Sequence, residues 1–133
     1  MSDREMARLY DEQDREIVGA MLQAKDRGGT RIDMIESAAK ALDVRHIGIA
    51  HCAGFSDEAE ALAKRLSSAF EVTTVDCRAG GELTADDLLG NGGGGICNGA
   101  GQAKVLEDAG TELNIELGLC LGTDLGGYAI MVG

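Results

Sequence analysis

Three short β-like runs in this chain each lead into a cysteine, and a glycine follows each cysteine within three residues. HIGIA (46–50) leads to Cys52 and Gly54, FEVTTV (70–75) to Cys77 and Gly80, and LNIELGL (113–119) to Cys120 and Gly122. Short apolar runs rich in β-branched residues, alternating with helical segments, are the mark of buried parallel strands joined by crossover helices. In such a sheet every strand points the same way, so the strand carboxyl ends and the helix N-termini share one edge. The fourth cysteine, Cys97, follows the glycine run GNGGGG (90–95) at the expected start of a helix, which places it at that edge too. Adjacent strands lie about 4.8 Å apart. Cysteines separated by 25, 20 and 23 positions in sequence are thereby expected to converge.

The rest of the pattern fits an α/β chain. Met6, Leu9, Tyr10, Ile17, Val18, Met21 and Leu22 recur near a 3.6-residue period and predict one helix over 3–25, stopped by Gly28 and Gly29. Thr30, with Asp33 three residues on, predicts a capping box opening a second helix. Ser56 is expected to cap a helix reaching about 69, and Thr84 a helical turn over 85–89. Cys97 or Asn98 should cap a helix to about 108, closed by Gly110. YAIMV (128–132) is an expected fourth strand. The predicted fold is a small, doubly wound, three-layer parallel sheet of about four strands, with two N-terminal helices over one face, as a single domain spanning 1–133.

Apolar residues make up 44% of the 133-residue chain and aromatic residues 3%, so the core must come from aliphatic side chains. The net charge of −11 argues against binding nucleic acid or anionic lipid. No run nears the roughly 18 apolar residues of a membrane span, and the charged N-terminus lacks the apolar stretch of a secretory signal. A cytoplasmic location is therefore expected. Thiols stay reduced there, so four cysteines suggest metal or redox chemistry.

Cys52, Cys77, Cys97 and Cys120 are the expected ligands. Four thiolates in one place repel each other, and a cation resolves the conflict. Soft thiolate shells select zinc, copper(I) or iron–sulfur clusters. No C-x-x-C pair is present. Single ligands on four separate loops suit a larger object, which favours an iron–sulfur cluster over zinc. His51, Asn98 and Asp124 are candidate outer-shell groups. His46, opening a strand, is expected to be solvated, and Asp76 to face away from Cys77. GNGGGG matches G-x-G-x-x-G in letters but follows a helical turn instead of a strand, so it reads as a covering loop.

Two alternatives stand beside the metal centre. One is a metal-free thiol redox protein with Cys97 as nucleophile, resolved by Cys52 or Cys120. The other is a non-catalytic interaction domain using the glycine loop and acidic surface. A redox partner or small-molecule substrate would accompany the first two readings. A homodimer that shares a cluster between chains fits the metal centre.

Leu9-Tyr10-Asp11, Thr30-Arg31-Ile32, the run from Ile47 to Cys52, Cys97-Asn98 with Gly101-Gln102-Ala103, and the run from Gly110 to Ile115 leading to Gly118-Leu119-Cys120 are similar to one known group. The chain resembles the bacterial and archaeal family known as domain of unknown function, number eighteen forty-seven, whose members are often labelled metal-binding. The resemblance implies that the four cysteines form a shared set, and it implies no established reaction. Gly99 stands where the family tends to have proline, and Thr123 where it tends to have histidine before Asp124. The family's members tend to carry a further cysteine-rich N-terminal segment, and no cysteine stands before Cys52 in this sequence.

Overall fold

The computed structural model describes residues 1–119. It divides into two compact units, Met1–Val44 and a second beginning at Arg45.

The first unit is helical: α1 (Asp3–Ala7), α2 (Glu12–Arg27) and α3 (Arg31–Ala41), with α2 packed on α3. The single helix expected over 3–25 is two helices. The first ends at Arg8, and Asp11 opens the second: its side chain accepts from the Asp14 N–H while the Asp14 carboxylate accepts from the Asp11 N–H. This reciprocal cap satisfies two helix-end donors at once. Arg15 then reaches back and donates to the carbonyls of Tyr10 and Ala7, fixing the corner. Thr30 and Asp33 form the expected capping box on α3.

The second unit is the α/β part. Its elements are β1 (His46–His51), a 3₁₀ turn (Ala53–Phe55), α4 (Ser56–Leu66), β2 (Glu71–Val75), α5 (Ala85–Leu89), α6 (Gly99–Ala109) and β3 (Leu113–Leu117). The three strands form a wholly parallel sheet in the order β2-β1-β3, with Ile49 level with Thr74 on one side and Ile115 on the other. The expected sheet of about four strands is thus three among the described residues, and the fourth expected strand, 128–132, lies outside them. Ser56 does not cap α4. Phe55 holds the cap position, and the Ser56 hydroxyl donates to Ala53 O.

The layers follow from side-chain alternation. β1 is buried along its whole length. Gly48 and Ala50 face α6: Ala50, Val75, Ala103 and Leu106 form one buried cluster, and a Cβ on Gly48 would run into Leu106 and Asn114. Glycine is needed there so that the helix can approach the strand. Ile47 and Ile49, both fully buried, project the other way. The chain steps from β1 out to β2 and back across β1 to β3. Right-handed crossovers then put α4 and α6 on opposite faces, which is the doubly wound arrangement.

His46 is buried, not solvated: its Nε2 lies 2.7 Å from Thr73 Oγ1. The lower end of the sheet is tied by Glu112, whose carboxylate accepts from the Arg45 and His46 N–H groups at 2.9 and 3.1 Å. Those two bonds hold its carboxyl below the ordinary carboxylate range.

A cysteine-bearing edge and its cavity

Cys52 directly follows β1, Cys77 lies two residues beyond β2, and Cys97 stands just before the Asn98 cap of α6. All three are half-buried thiols at the carboxyl edge of the sheet. Backbone bonds lace their segments together. The Cys52 N–H donates to Leu117 O at 3.2 Å, extending the β1–β3 pairing by one bond. The Ala53 N–H donates to the Cys77 sulfur at 3.5 Å. The Asn98 N–H donates to Cys77 O at 2.7 Å. Convergence of these three segments is therefore observed. Cys120 and Asp124 lie outside the described residues.

Convergence of backbone is not yet a ligand cage. Among the described residues, no three His, Cys, Asp or Glu side chains are grouped so as to hold a metal ion. Two of the three cysteines nevertheless border one cavity. Cys77 and Cys97 line a cavity of about 500 Å³, walled by Arg78, Glu82, Leu83 and Thr84. Arg78 and Glu82 pair across its rim at 3.8 Å, both largely exposed. Cys52 lies towards the β1–β3 side, its sulfur over Gly54. β1 is where the strand order reverses, so the carboxyl end between β1 and β3 is the sheet's switch point, where open α/β sheets place ligands.

The neighbouring groups have local tasks. Asn98 caps α6, its Oδ1 accepting from the Gly101 N–H at 2.8 Å. His51 is buried, with Nδ1 2.9 Å from Cys52 O. A carbonyl only accepts, so Nδ1 carries the proton of this bond. By strand alternation its ring leaves the sheet on the face opposite the Cys52 side chain. Asp76 turns back on its own loop and accepts from the Arg78 and Ala79 N–H groups. Gly118, at φ +61°, allows the chain to turn after β3 with the Phe55 ring against it.

The glycine run is part of a closed excursion. Ala85 N–H donates to Gly94 O at 2.8 Å and Ile96 N–H to Leu83 O at 2.9 Å, around an antiparallel bridge between Thr84 and Gly95. Residues 90–95 therefore fold back on the entry to α5 beside the cavity and form no phosphate-binding turn after a strand. Thr84 and Asp87 cap α5 reciprocally, and the Thr84 N–H and hydroxyl hold the Asp87 carboxyl below its usual range.

The sequence reading missed Gln102. This side chain is fully buried, and its amide donates to His51 O at 3.1 Å and Val75 O at 3.2 Å. The available signal was a lone amide among small residues in the first turn of α6, GAGQA.

Residues 2–129 match a family described as a protein of unknown function, DUF1847. The chain belongs to this family. A relative in Methanocaldococcus jannaschii, the uncharacterized protein MJ0455, is 40% identical over 100 residues, covering 72% of this chain and 52% of that protein. The chain thus spans about half the length of the curated relative it matches. No solved structure matches it significantly. In this DUF1847 chain, no helix among the described residues is long and apolar enough to cross a membrane.

Proposed function

We propose that this chain is a thiolate metal-binding protein that holds an iron–sulfur cluster, in preference to zinc, through Cys52, Cys77, Cys97 and Cys120. The observation that carries the reading is the N–H···S bond from Ala53 to Cys77, which sets the segments after β1 and β2 side by side at the carboxyl edge of the sheet. Hydrogen bonds to sulfur also tune cluster potentials. The donor chemistry fits, since four thiols match both a tetrahedral zinc site and a cuboidal cluster. The described thiols do not close a cage without Cys120, so the fit is one of donor type and backbone placement. Bound there, a cluster would supply one-electron redox chemistry or an open iron for a small substrate admitted through the cavity beside Cys77 and Cys97. A reducing cytoplasm, a redox partner and a cluster shared between two copies are compatible with this reading.

The test is anaerobic purification with iron, zinc and acid-labile sulfide quantified per chain. The expected result is a brown protein whose iron and sulfide fall sharply in Cys52→Ser, Cys77→Ser, Cys97→Ser and Cys120→Ser. A colourless, folded protein that takes up neither metal on reconstitution, with four thiols open to titration, would remove the proposal.

That outcome would favour a second reading, metal-free thiol redox chemistry. The lack of a three-ligand group among the described residues, and the cavity shared by Cys77 and Cys97, support it. One thiol, Cys97 by its place before α6, would then react faster than the others with an alkylating probe.

A further inference from the structure

We propose that Gln102 is the positioning residue of the thiol edge, a single buried amide that sets the spacing of the three cysteine-bearing segments. The inference rests on the thiolate reading above and deepens it.

The β1–β2 ladder ends at the pair Ala50 and Val75. Beyond it no further ladder pair forms, and one chain runs on to Cys52 and the other to Cys77. The Gln102 side chain enters at this end of the ladder. One amide group donates both its hydrogens, to His51 O and to Val75 O, the last residues of the two strands. Its backbone N–H makes the ordinary helix bond to Asn98 O at 2.9 Å, one residue after Cys97, so the side chain projects from the first turns of α6. Through its two amide bonds Gln102 ties the start of α6 to the end of β1 and the end of β2. Cys52, Cys77 and Cys97 follow or precede those points by one or two residues.

An aliphatic side chain would fill this fully buried position at lower desolvation cost. The amide is retained although its Oε1 has no hydrogen-bond partner among the described residues. An unsatisfied buried acceptor needs a reason. The reason offered here is the pair of carbonyls, which only a two-hydrogen donor can hold together. Ligands held at fixed separation before the ion arrives lose less on binding, which is how outer-shell groups tune metal affinity.

The test uses the whole chain, metal-free, titrated anaerobically with cobalt(II), whose thiolate charge-transfer and ligand-field bands report ligand number and geometry. Wild type, Gln102→Leu and Gln102→Glu are compared after circular dichroism establishes that each is folded. The expected result for Gln102→Leu is a 10- to 100-fold loss of affinity, the range typical of outer-shell changes, with shifted ligand-field bands. If Gln102→Leu does not fold, Gln102→Glu decides. A neutral carboxyl can still donate to one carbonyl, whereas a carboxylate faces two oxygens with no proton. Cobalt affinity rises with pH in wild type, because thiols must deprotonate to bind; in Gln102→Glu it should rise less steeply over the range in which the introduced carboxyl ionises. Parallel pH profiles, or an unchanged spectrum and affinity in Gln102→Leu, overturn the positioning role and leave the metal reading standing. Wild-type protein that binds no cobalt overturns the metal reading and this inference with it.

Discussion

Adding one methyl group should act in opposite directions at two glycines of this chain. At Gly48, in the central strand, an added Cβ would meet the Leu106 δ-carbons at 2.9 and 3.1 Å and would also strike Asn114 Oδ1. Carbon atoms prefer about 3.5–4.0 Å, so α6 must move off the sheet by roughly half an ångström or more, or Leu106 must leave its rotamer. Overpacking of this kind costs about 1–3 kcal/mol. Asn114 also accepts from the Thr111 hydroxyl at 2.7 Å, and losing that bond adds about 1 kcal/mol. Alanine returns about 0.5–1 kcal/mol by restricting the unfolded chain. The net expectation for Gly48→Ala is a destabilisation of about 1–3 kcal/mol. Gly19, exposed within α2, has nothing within 4 Å of its Cβ position, so Gly19→Ala should stabilise by about 0.5–1 kcal/mol. Urea unfolding followed by circular dichroism gives the sign, and amide exchange in β1 and α2 locates it. Leu106→Ala alone should cost about 2–5 kcal/mol. Combined with Gly48→Ala it should cost at least about 1 kcal/mol less than the sum, because each change relieves the other. A neutral Gly48→Ala, or strict additivity with Leu106→Ala, would refute the packing argument.

Other expectations follow from single side chains. Asn98→Ala removes the α6 cap and should destabilise by about 1 kcal/mol, read as faster amide exchange at Gly101. Thr73→Val leaves the buried His46 ring nitrogen without its hydroxyl partner and should cost about 1–2 kcal/mol in urea unfolding. Glu112 has a folded-state pKa below its unfolded value, so its stabilising effect is present above the usual carboxylate range and is lost as pH falls through the lowered folded value. The Arg45 and His46 amide resonances should move on acidification through that lower value, and in Glu112→Gln they should be insensitive over the same range.

Much of the α/β part was legible because its signals are local and agree with one another. The continuous apolar run before Cys52 gave β1, Thr84 gave the turn of α5, and Asn98 with Gly110 gave the ends of α6. The break at Asp11 was missed because the apolar period runs across it from Met6 to Leu22, while the signal that opens α2 is a polar pair three residues apart. His46 was misread because a histidine at a strand start looks solvated until Thr73, on the neighbouring strand, is seen to receive it. The cysteine edge followed from topology alone, since parallel strands carry their last residues to one side. Gln102 could not be read in that way. Its partners are backbone carbonyls of two distant strands, and no side-chain pattern records where a carbonyl points.

The closed neck of the excursion between β2 and α6 has an evolutionary and an engineering consequence. The bonds from Ala85 to Gly94 and from Ile96 to Leu83 sever residues 86–93 mechanically from the strands on either side. Lengthening, shortening or recolouring that stretch should leave undisturbed both the sheet and the cavity beside Cys77 and Cys97, whose walls come from residues on the inner side of the neck. The fold thus offers an interchangeable outer loop that can vary without cost to what lies beneath it.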